Sequence, residues 1–194
     1  MKYGNTQTFL IRCGEGYLLV DTDYAGTLPA FYKAIKQHGI QVRDIACVLA
    51  THYHPDHMGL IPELMRQGVT LLLMDTQLCG VHFSDPIFAR DGLPFEPIDE
   101  TQARVIRCAD SRQFLAGIGV DGEILSTPSH SPDSVSLILD SGDCIVGDLE
   151  PIDFLEAYAD DSPQRHDWNT LLLRHPKRIL YAHVNPKTLE KERC

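Results

Sequence analysis

The stretch ATHYHPDHMG, residues 50–59, brings His52, His54, Asp56 and His57 within six positions. It directly follows DIACVLA (44–50), an apolar run that is typical of a buried strand. In His-x-His on an extended loop, both imidazoles fall on the same side and can hold one ion, while Asp56 and His57 can serve a neighbouring one. Six residues rarely complete a coordination sphere. The stretch is therefore either half of a metal site or a polar loop that is rich in histidine.

Three further polar residues follow apolar runs of strand type in the same way. They are His130 after GEILS (122–126), Asp148 after CIVG (144–147) and His183 after RILYA (178–182). If these strand ends share one edge of the fold, seven nitrogen and oxygen ligands converge there. A catalytic zinc ion takes three protein ligands, so seven suit two ions better than one. Among these three later residues Asp148 is the carboxylate, so it is the predicted bridge between the two ions.

The pattern of the remaining chain predicts an α/β sandwich with mixed sheets in one domain, residues 1–194. Two strands form a hairpin around the turn 14–16, and a helix runs from Thr27 to Gly39. A second helix is predicted over 58–67 and a last one over 162–173. Residues 76–113 show a weak pattern and are predicted to form loops and short pieces. The predicted strands are TQTFLIRC, YLLVD, DIACVLA, VTLLLM, GEILS, SVSLILD, CIVGD and RILYA.

Charge and composition exclude several classes of partner. A formal net charge of −10 argues against nucleic acid, because such binding depends on Lys and Arg that neutralise phosphates. The longest apolar runs, such as 45–50 and 69–74, are too short to cross a bilayer, and residues 1–9 have no signal-peptide pattern. The six cysteines form no CxxC pair, which predicts a reducing, cytoplasmic location.

The polar residues also match a known set of motifs. His52, His54, Asp56 and His57 match H-x-H-x-D-H, and residues 127–134 (TPSHSPDS) are close to T-P-G-H-T-P-G-S. Gly147-Asp148 matches a G-D element, His183 a final histidine, and residues 20–23 (VDTD) approximate V-D-T-G. In these motifs and their order, which extend over nearly the whole chain, the sequence resembles the metallo-β-lactamase-fold superfamily of hydrolases.

This resemblance implies a four-layer αββα sandwich with a two-metal site at one edge. Carried over by motif, His52, His54 and His130 hold one ion, Asp56, His57 and His183 hold the second, and Asp148 bridges them. Asp56 is in addition the catalytic candidate, and Asp21 orients a ligand histidine. The ions are expected to be divalent, with zinc first and iron or manganese as alternatives. They would activate water to attack the ester, thioester or lactone carbonyl of a small molecule.

In having both His57 and Asp148, the sequence resembles the glyoxalase II and lactonase branch of the superfamily. The common zinc β-lactamases usually lack both residues. Only eleven residues follow His183, so glutathione thioesters are not expected as substrates. His54 and the chain length argue against the flavodiiron type, which carries Glu at a motif histidine and a flavin domain. Two alternatives stay open: an iron-dependent oxygenase of the persulfide dioxygenase type, and a non-catalytic metal-binding module.

Residues 79–113 are expected to flank the substrate pocket. Their apolar side chains could form a pocket wall, pack locally or form a homodimer contact. The side chains concerned are Phe83, Ile87, Phe88, Leu93 and Phe95.

Overall fold

The computed structural model of the protein describes residues 1–14 and 16–189, and in this part of the chain ten strands form two five-stranded sheets. Glu15, in the predicted hairpin turn, and Cys194 lie outside the described residues. The first sheet contains, in spatial order, β1 (Phe9–Cys13), β2 (Gly16–Val20), β3 (Ile45–Leu49), β4 (Thr70–Met74) and β5 (Arg104–Ile106). The second contains β6 (Gly122–Ser126), β7 (Val135–Leu139), β8 (Asp143–Ile145), β9 (Arg178–Leu180) and β10 (Lys187–Thr188).

Both sheets are mixed, and their strand directions decide where the site forms. In the first sheet, β1 and β2 are an antiparallel hairpin, whereas β2, β3, β4 and β5 pair in parallel. In the second, β8 and β9 are parallel and the other pairs are antiparallel. Carboxyl ends of parallel strands meet at one edge of a sheet. The segments that follow β2 and β3, and those that follow β8 and β9, therefore lie side by side.

Three apolar clusters hold four layers together. One lies between the sheets and joins Leu18, Leu49 and Leu72 to Leu137 and Ile145. Each of these five side chains is at most 1% exposed, and full burial of a Leu or Ile contributes about 1.5–3 kcal/mol. The second cluster packs the first sheet on helices, and the third packs the second sheet on a helix that includes Trp168. The layers are therefore helix, sheet, sheet and helix, which confirms the predicted αββα sandwich.

Six α-helices surround the sheets in the described part of the chain. They are α1 (Leu28–Gln37), α2 (Pro55–Met58), α3 (Ile61–Arg66), α4 (Asp85–Asp91), α5 (Ser111–Gly117) and α6 (Pro163–Leu172). The first and the last were predicted. In α6 the Ser162 hydroxyl accepts a hydrogen bond from the backbone N–H of Arg165 at 3.3 Å, as expected of a serine that caps a helix before proline.

The predicted single helix over 58–67 was wrong, because two short helices occupy this region. Pro55 starts α2 three residues earlier, so Asp56 and His57 lie on a helical turn and not in a loop. Leu60 then donates its backbone N–H to the hydroxyl of Thr22 at 3.2 Å, which ends the first helix. Gly59 lies against the backbone of residues 23–25, where any side chain would collide. Contacts with a distant segment thus interrupt the helix.

Residues 76–113, whose sequence pattern is weak, contain more regular structure than predicted. They include α4, β5 and the start of α5. Strand β5 has three residues, of which Arg104 and Val105 are exposed, so it shows no apolar period. Among the helices of the described residues, none has both the length and the apolar character that crossing a bilayer requires.

Candidate metal centre

The histidine-rich stretch is held at the carboxyl ends of β2 and β3. Asp21 follows β2 and donates its backbone N–H to Leu49 O at 2.9 Å. Its carboxylate accepts the backbone N–H of Thr51 at 2.6 Å and the Thr51 hydroxyl at 2.9 Å. His52 comes next in the chain and is 1% exposed, and Tyr53 is buried in the core on the helix side. The side chain of Tyr53 thus packs away from the site, as the alternation along an extended segment requires.

The second sheet supplies the other three predicted side chains from the facing edge. His130 lies in the loop between β6 and β7, Asp148 follows β8 and His183 follows β9. Val135, after the His130 loop, donates its backbone N–H to Thr51 O at 2.8 Å. This bond joins the two sheets at the site, so the seven predicted side chains lie together at one edge of the sandwich.

The seven side chains divide into two groups and one central residue. The first group is His52, His54 and His130: His54 Nδ1 lies 3.0 Å from His52 Nε2 and 3.2 Å from His130 Nε2. The second group is Asp56, His57 and His183. In it, Asp56 Oδ2 lies 3.1 Å from His183 Nε2 and 3.8 Å from His57 Nε2. Within each group the candidate ligand atoms all lie within 4.8 Å of one another.

Asp148 lies between the groups and turns one carboxylate oxygen towards each. Its Oδ2 is 4.0 Å from His52 Nε2 and 3.8 Å from His130 Nε2. Its Oδ1 is 3.4 Å from His57 Nε2 and 3.2 Å from His183 Nε2. A carboxylate in this position can bind one cation through each oxygen.

Asp21 contacts His57 from the side opposite to Asp148. Its Oδ2 lies 3.0 Å from His57 Nδ1, and both side chains are fully buried. A histidine held through Nδ1 presents Nε2, which here points at Asp148. Asp21 also has a backbone φ of +59°, which is uncommon for a residue other than glycine. Its four hydrogen bonds, to Leu49 O, to the backbone N–H and hydroxyl of Thr51 and to His57 Nδ1, hold the residue in that conformation.

Burial and neighbouring charges give the histidines different proton affinities. Burial and the adjacent imidazoles lower the pKa of His52 well below its usual value. Burial also lowers the pKa of His130. Burial acts in the same direction on His57, but the carboxylates of Asp21 and Asp148 outweigh it and raise the pKa of His57 to about 10. Without a bound ion, His52 and His130 therefore offer neutral ring nitrogens, whereas His57 carries a proton.

The residues present fit a divalent transition metal. His57 Nε2 and Asp148 Oδ1 are buried, and neither has a hydrogen-bond partner in the described residues. Such orphaned polar atoms are rare and need an explanation, of which an ion is one. Imidazole nitrogens with a few carboxylate oxygens form a ligand set that suits zinc and iron.

Three supporting residues were not predicted, since each contacts the site from a distant part of the chain. The Thr6 hydroxyl donates to Asp56 Oδ2 at 3.2 Å. Asp133 Oδ2 accepts the backbone N–H of Tyr53 at 2.7 Å. Asp167, on α6, accepts the backbone N–H of Ser129 at 2.7 Å, next to His130. Asp133 stands where the motif T-P-G-H-T-P-G-S has its second glycine.

Of the apolar side chains in residues 79–113, Phe83 contacts the site. Its ring centroid lies 5.0 Å from that of His54, and the residue is 54% exposed. The rings of Phe88 and Phe95 instead pack on each other, with their centroids 4.3 Å apart. Both residues join the core beside the first sheet, together with Leu93. These three residues therefore pack within the chain, and the homodimer contact stays a prediction.

Comparison with known proteins identifies relatives of modest identity. The chain is 27% identical to a beta-lactamase-like protein 2 homolog of Drosophila melanogaster, over 85% of this chain and 58% of that protein. It is 26% identical to the provisionally named diflavin flavoprotein A 2 of Synechocystis sp., over 94% of this chain and 31% of that protein. The chain thus spans less than two thirds of the length of either relative.

Solved structures share the fold. A metallo-beta-lactamase family protein of Thermus thermophilus, TTHA1429, superposes with a TM-score of 0.70 at 21% identity, over 94% of this chain and 70% of that one. TTHA1623, solved in a di-iron-bound form, has a TM-score of 0.69 at 18% identity, over 94% of this chain and 89% of that one. The sequence model of the metallo-beta-lactamase superfamily matches residues 2–183, and the chain therefore belongs to that superfamily.

Proposed function

We propose that the protein is a metal-dependent hydrolase that attacks the ester, thioester or lactone carbonyl of a small molecule. Members of its superfamily are usually dinuclear metal enzymes and mostly hydrolases. The observation that carries the proposal is the position of Asp148, with one oxygen towards the first group and one towards the second. A single-ion site does not need a carboxylate that faces two ligand groups.

In this proposal His52, His54 and His130 hold one ion, Asp56, His57 and His183 hold the second, and Asp148 is shared. Zinc is the first expectation for both. When bound, such ions polarise a carbonyl and lower the pKa of a water molecule towards about 7. The protein therefore does not have to supply a nucleophilic side chain.

Asp56 is proposed as the residue that orients the attacking water and accepts its proton. Its Oδ2 faces His183 at 3.1 Å and accepts the Thr6 hydroxyl at 3.2 Å. These two contacts fix the orientation of the carboxylate. Asp21 is proposed to act through His57, because its bond to Nδ1 directs Nε2 into the site.

Within the superfamily, the protein is proposed to belong to the glyoxalase II and lactonase branch. This assignment is supported by His57 and Asp148, which lie in contact distance of each other at 3.4 Å. Antibiotic hydrolysis is not proposed, because common zinc β-lactamases usually lack both residues.

The second candidate is an iron-dependent oxygenase that uses the first group to hold one iron. It is favoured by two likenesses: TTHA1623, solved in a di-iron-bound form, and the diflavin flavoprotein of Synechocystis sp.. His54 stands where flavodiiron-type proteins carry Glu, so the proposal does not extend to that type.

Metal analysis of protein purified without added metal, combined with oxygen uptake and an ester and lactone panel, separates the candidates. Two zinc ions per chain with hydrolysis and no oxygen uptake would support the hydrolase. Iron with oxygen uptake would support the oxygenase. Metal binding without turnover above the metal-free protein would leave a non-catalytic metal-binding module.

The site itself is tested by His130→Ala, with His38→Ala as a matched control on the exposed end of α1. Loss of a residue that merely supports a ligand reduces activity roughly 10–100-fold. His130→Ala is therefore expected to reduce hydrolysis at least about 100-fold and to lower the metal content, whereas His38→Ala should do neither. Unchanged metal content and activity in His130→Ala would refute the assigned site.

A further inference from the structure

A groove of about 240 Å³ opens beside three of the candidate ligands, His130, Asp148 and His183. The rest of its wall is Gly147, Leu149, Glu150, Pro151, Tyr181 and Val184; we call it the side groove. Its position next to the proposed ions makes it a place for the part of a substrate that adjoins the reacting carbonyl.

The side groove has one charged residue besides the candidate ligands, Glu150, which is exposed. Its backbone is fixed, because the indole N–H of Trp168 donates to Glu150 O at 2.9 Å and Pro151 restricts the chain on the other side. In the described part of the chain the Glu150 carboxylate has no ion-pair or hydrogen-bond partner. The negative charge therefore stays available to a bound molecule.

No Lys or Arg lies among the groove's described lining residues. Two cations of the neighbouring segments are engaged elsewhere. The Lys187 ammonium is 2.7 Å from Asp153, and the Arg165 guanidinium donates to Tyr158 O at 2.7 Å. Neither offsets the charge of Glu150.

The proposed ions do not reverse this conclusion. Two divalent ions would add four positive charges, and five carboxylates surround or enter the site. These are Asp21, Asp23, Asp56, Asp133 and Asp148. The ions would act mainly on the reacting carbonyl, whereas the adjoining group would meet Glu150 and the apolar surface of Val184, which is 44% exposed.

We propose that the side groove receives the acyl or leaving group of the substrate and that this group is uncharged or cationic, with an apolar portion, and not anionic. The inference rests on the proposed hydrolase function and narrows its substrate class. Esters, thioesters and lactones with a neutral or trimethylammonium-type tail fit this description. Dicarboxylic monoesters and other acyl groups with a carboxylate tail do not.

Calorimetry on the metal-loaded protein tests the inference without turnover. The probes are three hydroxamates of equal length whose tail ends in a methyl, trimethylammonium or carboxylate group. The cationic probe is expected to bind about 3- to 10-fold more tightly than the anionic one at low salt. This difference should shrink at about 0.5 M NaCl, where surface charges are screened. Equal affinity, tighter binding of the anionic probe, or binding of none would overturn the inference.

Glu150→Lys should invert the order of the charged probes. Asp121→Lys is the matched control, since it changes the net charge equally but lies in front of β6, at the end opposite to the His130 loop. An equal shift in both variants would show an effect of net charge alone and refute the role of the side groove. Failure of the hydrolase proposal would differ from either result: the probes would bind in the predicted order, but no ester, thioester or lactone would be cleaved.

Discussion

Asp133 ties together the two loops that carry the first histidine group, and its removal should destabilise the protein markedly. The residue is 6% exposed. Its Oδ2 accepts the backbone N–H of Tyr53, between His52 and His54, at 2.7 Å. Its Oδ1 accepts the hydroxyl of Ser131, next to His130, at 2.7 Å.

The expected magnitude follows from these two bonds. A hydrogen bond to a charged group contributes about 1.5–3 kcal/mol, and a buried N–H without a partner costs about 1–3 kcal/mol. Because the two effects overlap at Tyr53, Asp133→Ala should lower the free energy of unfolding by about 3–5 kcal/mol. Asp133→Asn keeps the shape and one acceptor for Tyr53, and the Ser131 hydroxyl can rotate to accept from the amide. Its expected cost is about 1–2 kcal/mol.

Urea unfolding of the metal-free protein, followed by circular dichroism, measures both values. The metal must be absent, since any ion that binds the folded state raises its apparent stability. Asp99→Ala is the control: Asp99 accepts the backbone N–H of Thr101 at 3.1 Å but is exposed, so its loss should cost below about 1 kcal/mol. The reasoning fails if Asp133→Ala is no more destabilised than the control, or if Asn is as damaging as Ala.

Three further predictions concern other parts of the molecule. Burial opposes protonation of His57 but its carboxylate neighbours raise its pKa to about 10, so Zn²⁺ added at pH 8 should displace a proton. Calorimetry in buffers of different ionisation enthalpy would detect this release, which should vanish as the pH rises through about 10. Gly59→Ala should lower the free energy of unfolding by about 3 kcal/mol in urea titrations, because the methyl group would meet backbone atoms. The exposed Cys79 should react with a thiol reagent at pH 8 in the native protein; Cys47 and Cys144, whose pKa burial raises to about 12, should stay unmodified in peptide mass maps.

The convergence of the seven side chains was predictable because each follows the end of a strand with a strong apolar pattern. The segments IACVL and CIVG are buried along most of their length, so their strand character is plain from the sequence. The resemblance in motif order then implied the αββα sandwich that brings these strand ends to one edge. The ligand roles of the seven residues stay proposals, and the metal analysis above tests them.

The supporting contacts were not predictable, because they depend on tertiary proximity. Thr6 lies fifty residues from Asp56 along the chain, and Asp167 lies thirty-eight residues from Ser129. The break between α2 and α3 has the same origin, since the Thr22 hydroxyl takes the N–H of Leu60. Local propensity carries no information about such partners.

The two aspartates that replace motif glycines show how the site tolerates these departures. A Cβ at Gly4 would collide with the carboxylate of Asp23, and a Cβ at Gly80 would collide with that of Asp133. In each case a glycine elsewhere in the chain provides the space that the aspartate occupies. The carboxylate of Asp23 also accepts the backbone N–H of Thr6 at 3.2 Å, and the Thr6 hydroxyl donates to Asp56. Gly4 and Thr6 are therefore part of the site's support, and Asp23 is expected to vary together with Gly4, as Asp133 is with Gly80.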